Sequence, residues 1–316
     1  MRNQTENEAL ISIALCTYNG ERFLAEQLRS ITNQTYPNLE IIVVDDCSTD
    51  KTVDILESAQ KNDPRIKIYK NEKNLGFIKN FEKALRICNG DFIALSDQDD
   101  IWFPQKIQTL RNQIGDNLLI YSSVHLIDEN NQPLPGSFPK LKPIEGRRPL
   151  SLILGNCVIG HTCLIKKELL ESALPIPENI FAHDQWLAII ASAHGKLKYS
   201  REILSLYRSH QNNVIFKKKN KENKKEKAES TNTKLEKLLY LSEKTINSGA
   251  LTEQETQKLR EFQKLLKKNI FTVYNFGLSK FLKENSADFL GLYKNKKKKI
   301  KKQCRGYWYY KLIPFS

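Results

Sequence analysis

Asp97-Gln98-Asp99-Asp100 places three carboxylates within four residues. Charges this close repel one another unless a cation joins them, and carboxylates suit hard ions such as Mg²⁺ or Mn²⁺. Such ions take one or two protein carboxylates and complete their shell with phosphate oxygens and water. The same acids also fit a solvated polar loop, with Asp100 capping the segment from Phe103 to Ile114. Asp45-Asp46 is a second acidic pair. It can accept hydrogen bonds from a ribose or a nucleobase, or build a turn beside a helix cap at Ser48 or Asp50. His183-Asp184-Gln185-Trp186 opens an apolar helical stretch. There Asp184 is either a helix cap or a general base facing a crevice, and Trp186 offers a flat apolar surface to a sugar ring. His210, among Arg208, Asn212 and Asn213, can hold a diphosphate, complete a metal shell, or stand in a surface loop.

These residues need elements to position them. Apolar runs at Leu10 to Cys16, Ile41 to Val44, Ile66 to Tyr69 and Phe92 to Leu95 read as strands. Between them Glu21 to Thr32, Asp50 to Ala59 and the segment of Phe77, Ile78, Phe81, Ala84 and Leu85 carry helical spacing. Strands alternating with helices predict βαβ units and a largely parallel sheet. In such a sheet the ligand crevice lies beyond the carboxyl ends of the strands. Thr17-Tyr18-Asn19-Gly20, Asp45-Asp46, Asn71 to Gly76 and the Asp97–Asp100 turn each follow a predicted strand end. Further on, Leu118 to Val124, Val158 to Ile165 and Leu204 to Tyr207 read as strands, Lys167 to Ser172 and Asp184 to Ala193 as helices, and Asn130 to Pro149 as a loop.

Length and charge set the outer bounds. The chain has 316 residues, 40% of them hydrophobic, enough for a sizeable core. Residues 1–216 hold 24 basic and 26 acidic side chains, whereas residues 217–316 hold 26 and 10. The division predicted is a near-neutral domain at 1–216, a mobile basic linker at 217–233 and a helical, Lys-rich extension at 234–316. The extension ends in seven lysines between Lys294 and Lys302, followed by Tyr307-Trp308-Tyr309-Tyr310. It suits an anionic membrane surface. Nucleic acid is the lesser partner, because no recognised module accompanies the charge. No run reaches the roughly 18–20 apolar residues of a spanning helix. Ser151 to Ile165 is broken by Gly155, Asn156, Gly160 and His161. The first eight residues lack a signal-peptide layout, and six scattered cysteines suit reduced thiols, so the expected location is the cytoplasm. Neither Gly-x-Gly-x-x-Gly after the first strand nor a P-loop motif is present, which argues against a dinucleotide oxidoreductase and a P-loop enzyme.

Four blocks together resemble glycosyltransferase family 2: Ile11 to Gly20, Gln34 to Asp50, Asn74-Leu75-Gly76, and Ser96 to Trp102. Their order and spacing agree over residues 10–110 and more loosely to Asn213. The last block, with Tyr207-Arg208-Ser209-His210-Gln211-Asn212-Asn213, is most similar to the rhamnosyltransferases of bacterial surface polysaccharides. The resemblance implies a GT-A fold, a Rossmann-like α/β architecture with a mostly parallel central sheet flanked by helices. It implies an inverting, Mn²⁺- or Mg²⁺-dependent transfer of sugar from a nucleotide-sugar donor to a lipid-linked glycan, peripheral to the inner face of the plasma membrane. Thr17, Tyr18 and Asn19 would line the nucleotide pocket, with Asp45, Asp46 and Trp102 beside them and Asp46 on the base. Asp97 would lie by the ribose or diphosphate. Asp99 would be the main metal contact, with Asp100 adjacent and His210 a further metal or diphosphate ligand. Asp184 would be the catalytic base. His183 stands where the commoner pattern has an acid, and with Trp186 it is placed on the acceptor side.

Overall fold

β-Branched and leucine-rich runs form the strands, and helices with one apolar stripe cover them. We describe them from a computed structural model, which covers residues 8–136, 140–210, 224–272 and 274–305. Strands β1 (Ile11–Thr17), β2 (Leu39–Asp45), β3 (Ile66–Lys70) and β4 (Phe92–Ser96) pair in parallel in the order β3-β2-β1-β4. Their crossovers carry α1 (Leu24–Thr32), α2 (Thr52–Asn62) and α3 (Phe77–Ile87). Every residue of β1 and β2 is buried, as expected of parallel strands covered on both faces. The register sets Thr17 against Asp45, Asp45 against Lys70, and Leu15 against Ser96. The polar strand ends therefore lie along one edge of the sheet.

The second half of the sheet is mixed. It adds β5 (Ile101–Trp102), α4 (Lys106–Ile114), β6 (Leu119–Ile127), α5 (Pro149–Ile153), β7 (Cys163–Lys166), α6 (Leu169–Ala173), α7 (His183–Ala193) and β8 (Leu197–Arg208). The sheet continues β4-β7-β6-β8-β5. β7 runs antiparallel to both β4 and β6, and β5 antiparallel to β8. The strand predicted from Val158 begins only at Cys163, because Gly160–Thr162 turns as a short 3₁₀ segment. The strand predicted as Leu204 to Tyr207 is the end of the 12-residue β8.

Among the described residues five α-helices follow: α8 (Lys224–Asn247), α9 (Glu253–Lys267), α10 (Phe276–Glu284), α11 (Ser286–Phe289) and α12 (Lys296–Gln303). A reciprocal capping box between Thr252 and Glu255 starts α9. Leu235, Leu238, Leu241, Leu259, Phe262 and Leu266 belong to the same buried cluster as Ile42, Val44 and Leu187. The C-terminal helices thus share a core with the sheet. Helix α8 already begins inside the span read as a linker. Lys217 to Asn223, Gln211 to Asn213 and Tyr307 to Tyr310 lie outside the described residues. No helix among the described residues is long and apolar enough to cross a membrane.

Candidate active site

The turn after β1 is built from its own polar groups. Thr17 Oγ1 donates to Asp45 Oδ1 at 2.8 Å. The Ser48 hydroxyl and N–H donate to Asp45 Oδ1 and Oδ2 at 2.6 and 2.9 Å. Asp45 is buried and both its oxygens are engaged, so it builds the turn and is not presented to a ligand. Asp46 is also buried. Its carboxylate accepts from Asn71 Nδ2, Leu75 N and Gly76 N at 2.7, 2.7 and 2.9 Å, fastening the loop ahead of α3. Gly76 has φ 77°, a conformation that favours glycine. Tyr18 and Asn19 remain at the surface, with the Tyr18 side 49% exposed. Asn19 takes φ 48°, which asparagine tolerates, and its Oδ1 accepts from Thr49 N at 2.8 Å.

The acidic turn is clamped to this surface. Gln98 Oε1 accepts from Tyr18 N at 2.8 Å, and Gln98 Nε2 donates to Tyr18 O at 3.0 Å. The three acids then diverge. Asp99 Oδ2 meets His210 Nε2 at 2.7 Å. Asp100 points inward, where its Oδ1 accepts from Arg208 N at 3.0 Å and its Oδ2 lies 2.6 Å from His161 Nδ1. Asp97 Oδ2 lies 4.0 Å from the same nitrogen and keeps 42% of its side chain exposed. Asp97, Asp100 and His161 each offer an atom within 4.8 Å of the others. The 2.6 Å approach is off the line a hydrogen bond needs: Asp100 Oδ2 and both His161 ring nitrogens are buried without a hydrogen-bond partner. Burial raises the carboxyls of Asp97 and Asp100 well above their usual range, and their acidic neighbours raise them further. The larger effect belongs to Asp100, since Asp97 reaches solvent. Burial, and then the Lys106 charge, drive His161 well below its usual value. A neutral imidazole beside two carboxylates that repel each other is a donor set that fits a divalent cation.

Two buried basic side chains, Lys106 and Arg208, brace the turn. Lys106 Nζ donates to the His161 carbonyl and lies 3.4 Å from the centre of the Trp102 ring. Arg208 Nε donates to Asp99 O at 2.8 Å, and Arg208 Nη2 pairs with Glu26 at 2.6 Å. Trp102 is 2% exposed and packs into the core under the sheet. It is therefore a support for the turn and offers no face to a nucleotide, contrary to the expectation.

Asp184 is the second residue of α7, and the cap position belongs to Ala182. The capping alternative therefore falls. Asn156 Nδ2 and Gly160 N donate to its Oδ1 and Oδ2, each at 2.9 Å. Burial pushes its carboxyl up to about 6, against the pull of these hydrogen bonds. His183 turns away from the crevice. It is buried, stacks on Phe81 at 3.9 Å between ring centres, and is driven by burial down to about 3. Trp186 is 4% exposed and its Nε1 donates to Ala173 O at 2.7 Å. Neither side chain forms an acceptor surface as expected; the exposed ring nearby is Phe77, edge-on to His183.

The structure thus brings together Tyr18, Asn19, Asp97, Asp99, Asp100, Asp184 and His210 around one edge. It adds His161 and Lys106, which the sequence reading leaves out. The signal for His161 was the polar break at Gly160-His161 in an otherwise apolar run. Comparison with known proteins shows the family. The description "Glycosyl transferase family 2" matches residues 12–174. An uncharacterized glycosyltransferase of Haemophilus influenzae is 32% identical, over 85% of this chain and 87% of its own. Two further relatives carry named donors. The Escherichia coli UDP-Glc:alpha-D-GlcNAc-diphosphoundecaprenol beta-1,3-glucosyltransferase WfgD is 31% identical over 66% of this chain and 80% of its own. The Shigella flexneri dTDP-rhamnosyl transferase RfbG is 32% identical over 64% and 73%. The solved mannosyltransferase PcManGT of Pyrobaculum calidifontis, in complex with GDP-Man and Mn²⁺, shares the fold. Its TM-score is 0.56 at 16% identity, covering 96% of this chain and 85% of that one. The chain belongs to glycosyltransferase family 2 and is a glycosyltransferase.

Proposed function

We propose that the chain transfers a sugar from a nucleoside diphosphate to a hydroxyl of a lipid-linked glycan, with inversion, in the making of a bacterial surface polysaccharide. The observation that carries the reading is Asp184: a carboxylate raised to about 6, held by Asn156 and Gly160 beside the acidic turn. A base of that strength takes a hydroxyl proton near neutral pH. The acceptor oxygen then attacks in a single displacement, and no second catalytic carboxylate is needed. Tyr18 and Asn19 line the nucleotide side, while Asp46 acts through the loop it fastens. Asp97 and Asp100 would hold the divalent ion, with Asp99 paired to His210 alongside. Such an ion offsets the charge that gathers on the leaving diphosphate.

The donor proposed first is dTDP-rhamnose, supported by the S. flexneri relative; a UDP-hexose is the second reading, supported by the E. coli relative at nearly equal identity. The lipid-linked acceptor is supported by the diphosphoundecaprenol in the latter's name. The basic C-terminal helix is proposed to rest on the anionic inner face of the membrane. The deciding experiment offers the protein dTDP-rhamnose, UDP-glucose, UDP-galactose, UDP-N-acetylglucosamine and GDP-mannose with Mn²⁺, reading thermal shift and release of the nucleoside diphosphate. Release from one donor, dependent on a lipid-linked acceptor, is expected. Release from none of them, with any acceptor, would overturn the donor assignment.

A further inference from the structure

His161 belongs to no part of the acidic sequence block, yet it meets that block from the other side. Its side chain is fully buried, and neither ring nitrogen has a hydrogen-bond partner. Nδ1 lies 2.6 Å from Asp100 Oδ2 and 4.0 Å from Asp97 Oδ2. A buried imidazole without a partner is costly unless something completes it. Its main chain is fixed independently: the His161 carbonyl accepts from Lys106, and the Thr162 N–H donates to Ile159 O at 2.9 Å. Tyr207 stacks on the ring at 5.5 Å. The ring is thus held in place by groups that leave its nitrogens unused.

We infer that His161 Nδ1 is a direct ligand of the divalent cation together with Asp97 and Asp100, and that this nitrogen makes the site prefer a transition-series dication such as Mn²⁺ to Mg²⁺. Mg²⁺ favours an all-oxygen shell and gives up its waters reluctantly, whereas imidazole suits the transition metals. The inference rests on the transferase reading and deepens it. It has a mechanical consequence, because the preceding residue, Gly160, donates its N–H to Asp184. A Cβ at Gly160 would stand 3.1 Å from His183 Nε2, so any larger residue there requires the buried His183 ring to shift by a few tenths of an ångström. Metal ligand and base-holding group are therefore neighbours on one three-residue turn.

The test uses the full chain with Mn²⁺ alone, without nucleotide. Pulsed EPR of bound Mn²⁺ reads ¹⁴N modulation from a coordinated imidazole, and Mg²⁺ competition reads the preference. Modulation is expected in the native protein and in His210→Gln, and is expected to vanish in His161→Asn. Mn²⁺ affinity should fall roughly tenfold or more in His161→Asn, and Mg²⁺ affinity by less. Four outcomes overturn the inference: no Mn²⁺ binding, no ¹⁴N modulation in the native protein, modulation that persists in folded His161→Asn, or equal loss of both metals. If His161→Asn does not fold, as read by circular dichroism, His210→Gln decides. Modulation retained there keeps the assignment, and modulation lost assigns the nitrogen to His210. Sugar transfer is read separately, so failure of the ligand assignment leaves the transferase reading standing.

Discussion

In the proposed mechanism Asp184 carries the heaviest chemical duty of any single side chain in this site. With its carboxyl raised to about 6, it is mostly ionised at pH 7 and able to accept a proton. Turnover should therefore fall as pH drops through about 6, following one protonation. In Asp184→Asn turnover should fall by roughly 10²–10⁴-fold and that acidic limb should disappear, with donor affinity nearly unchanged. Equal losses in donor affinity and turnover would assign Asp184 to binding instead. In the sequence Asp184 stands out as an acid at the start of an apolar helix, but residue type and position leave cap and base both open, and only the family resemblance implies the base. The neighbouring aromatic was misread for a physical reason. Trp186 is followed by an apolar run through Ala193, broken only by Ser192, and a helix that is apolar all round is buried. Trp102 stands two residues after the acidic turn, but the alternation of the two-residue β5 sends its side chain into the core. His161 was hidden because only the fold carries β7 alongside β4.

Among the elements, β1 to β4 and the helices between them follow from hydrophobic period alone. The reversal of β7 does not, because strand direction in a short apolar run leaves no trace in its period. One buried acid shows how the parallel half is tied. Glu40, the second residue of β2, accepts from Ser12 Oγ of β1 at 2.6 Å and from Asn89 N ahead of β4 at 2.7 Å. Lys67 of β3 adds a contact at 3.1 Å. Burial alone would raise this carboxyl, but the hydrogen bonds prevail and lower it to about 2. A folded value below the unfolded one contributes stability at pH above about 4.5, and that stability is lost as pH falls towards 2. Glu40→Gln should cost about 1–3 kcal/mol at pH 7 and flatten the fall in stability between those pH values. Urea unfolding across that range checks it, and an unchanged acid limb would remove Glu40 from the account. The same logic applies to the loop ahead of α3. Asp46→Ala would free two N–H groups at Leu75 and Gly76 and loosen the proposed nucleotide side, so donor KM should rise more than kcat falls.

At the scale of the whole molecule, the question is what the basic C-terminal third does. Its charge was legible from composition, but its packing was not, since a shared core depends on partners far away in sequence. Phe262 is fully buried with Phe281 and Phe289 in the cluster that reaches β2. Phe262→Ala should destabilise the protein by about 3–5 kcal/mol. Helix content and tryptophan fluorescence should still unfold together, and an early loss of helix alone would mark a separate extension. The outermost helix, α12, turns Ile300 into this core and leaves Lys296, Lys297, Lys298, Lys301 and Lys302 exposed. Near its end the Asn275 N–H donates to Cys304 O at 2.9 Å, and the next residue, Phe276, is 78% exposed. A row of ammonium groups beside a bare aromatic ring matches an anionic lipid surface, each lysine contributing about 1 kcal/mol near the head groups. Deleting the helix would also uncover the Ile300 and Cys304 contacts, so the cleaner change is Lys→Gln at those five positions. The native protein should float with phosphatidylserine vesicles at low salt, release at high salt, and ignore pure phosphatidylcholine. The five-fold variant should lose flotation while its soluble transfer activity persists. Flotation unaffected by the substitutions would place the membrane contact, if any, on another face.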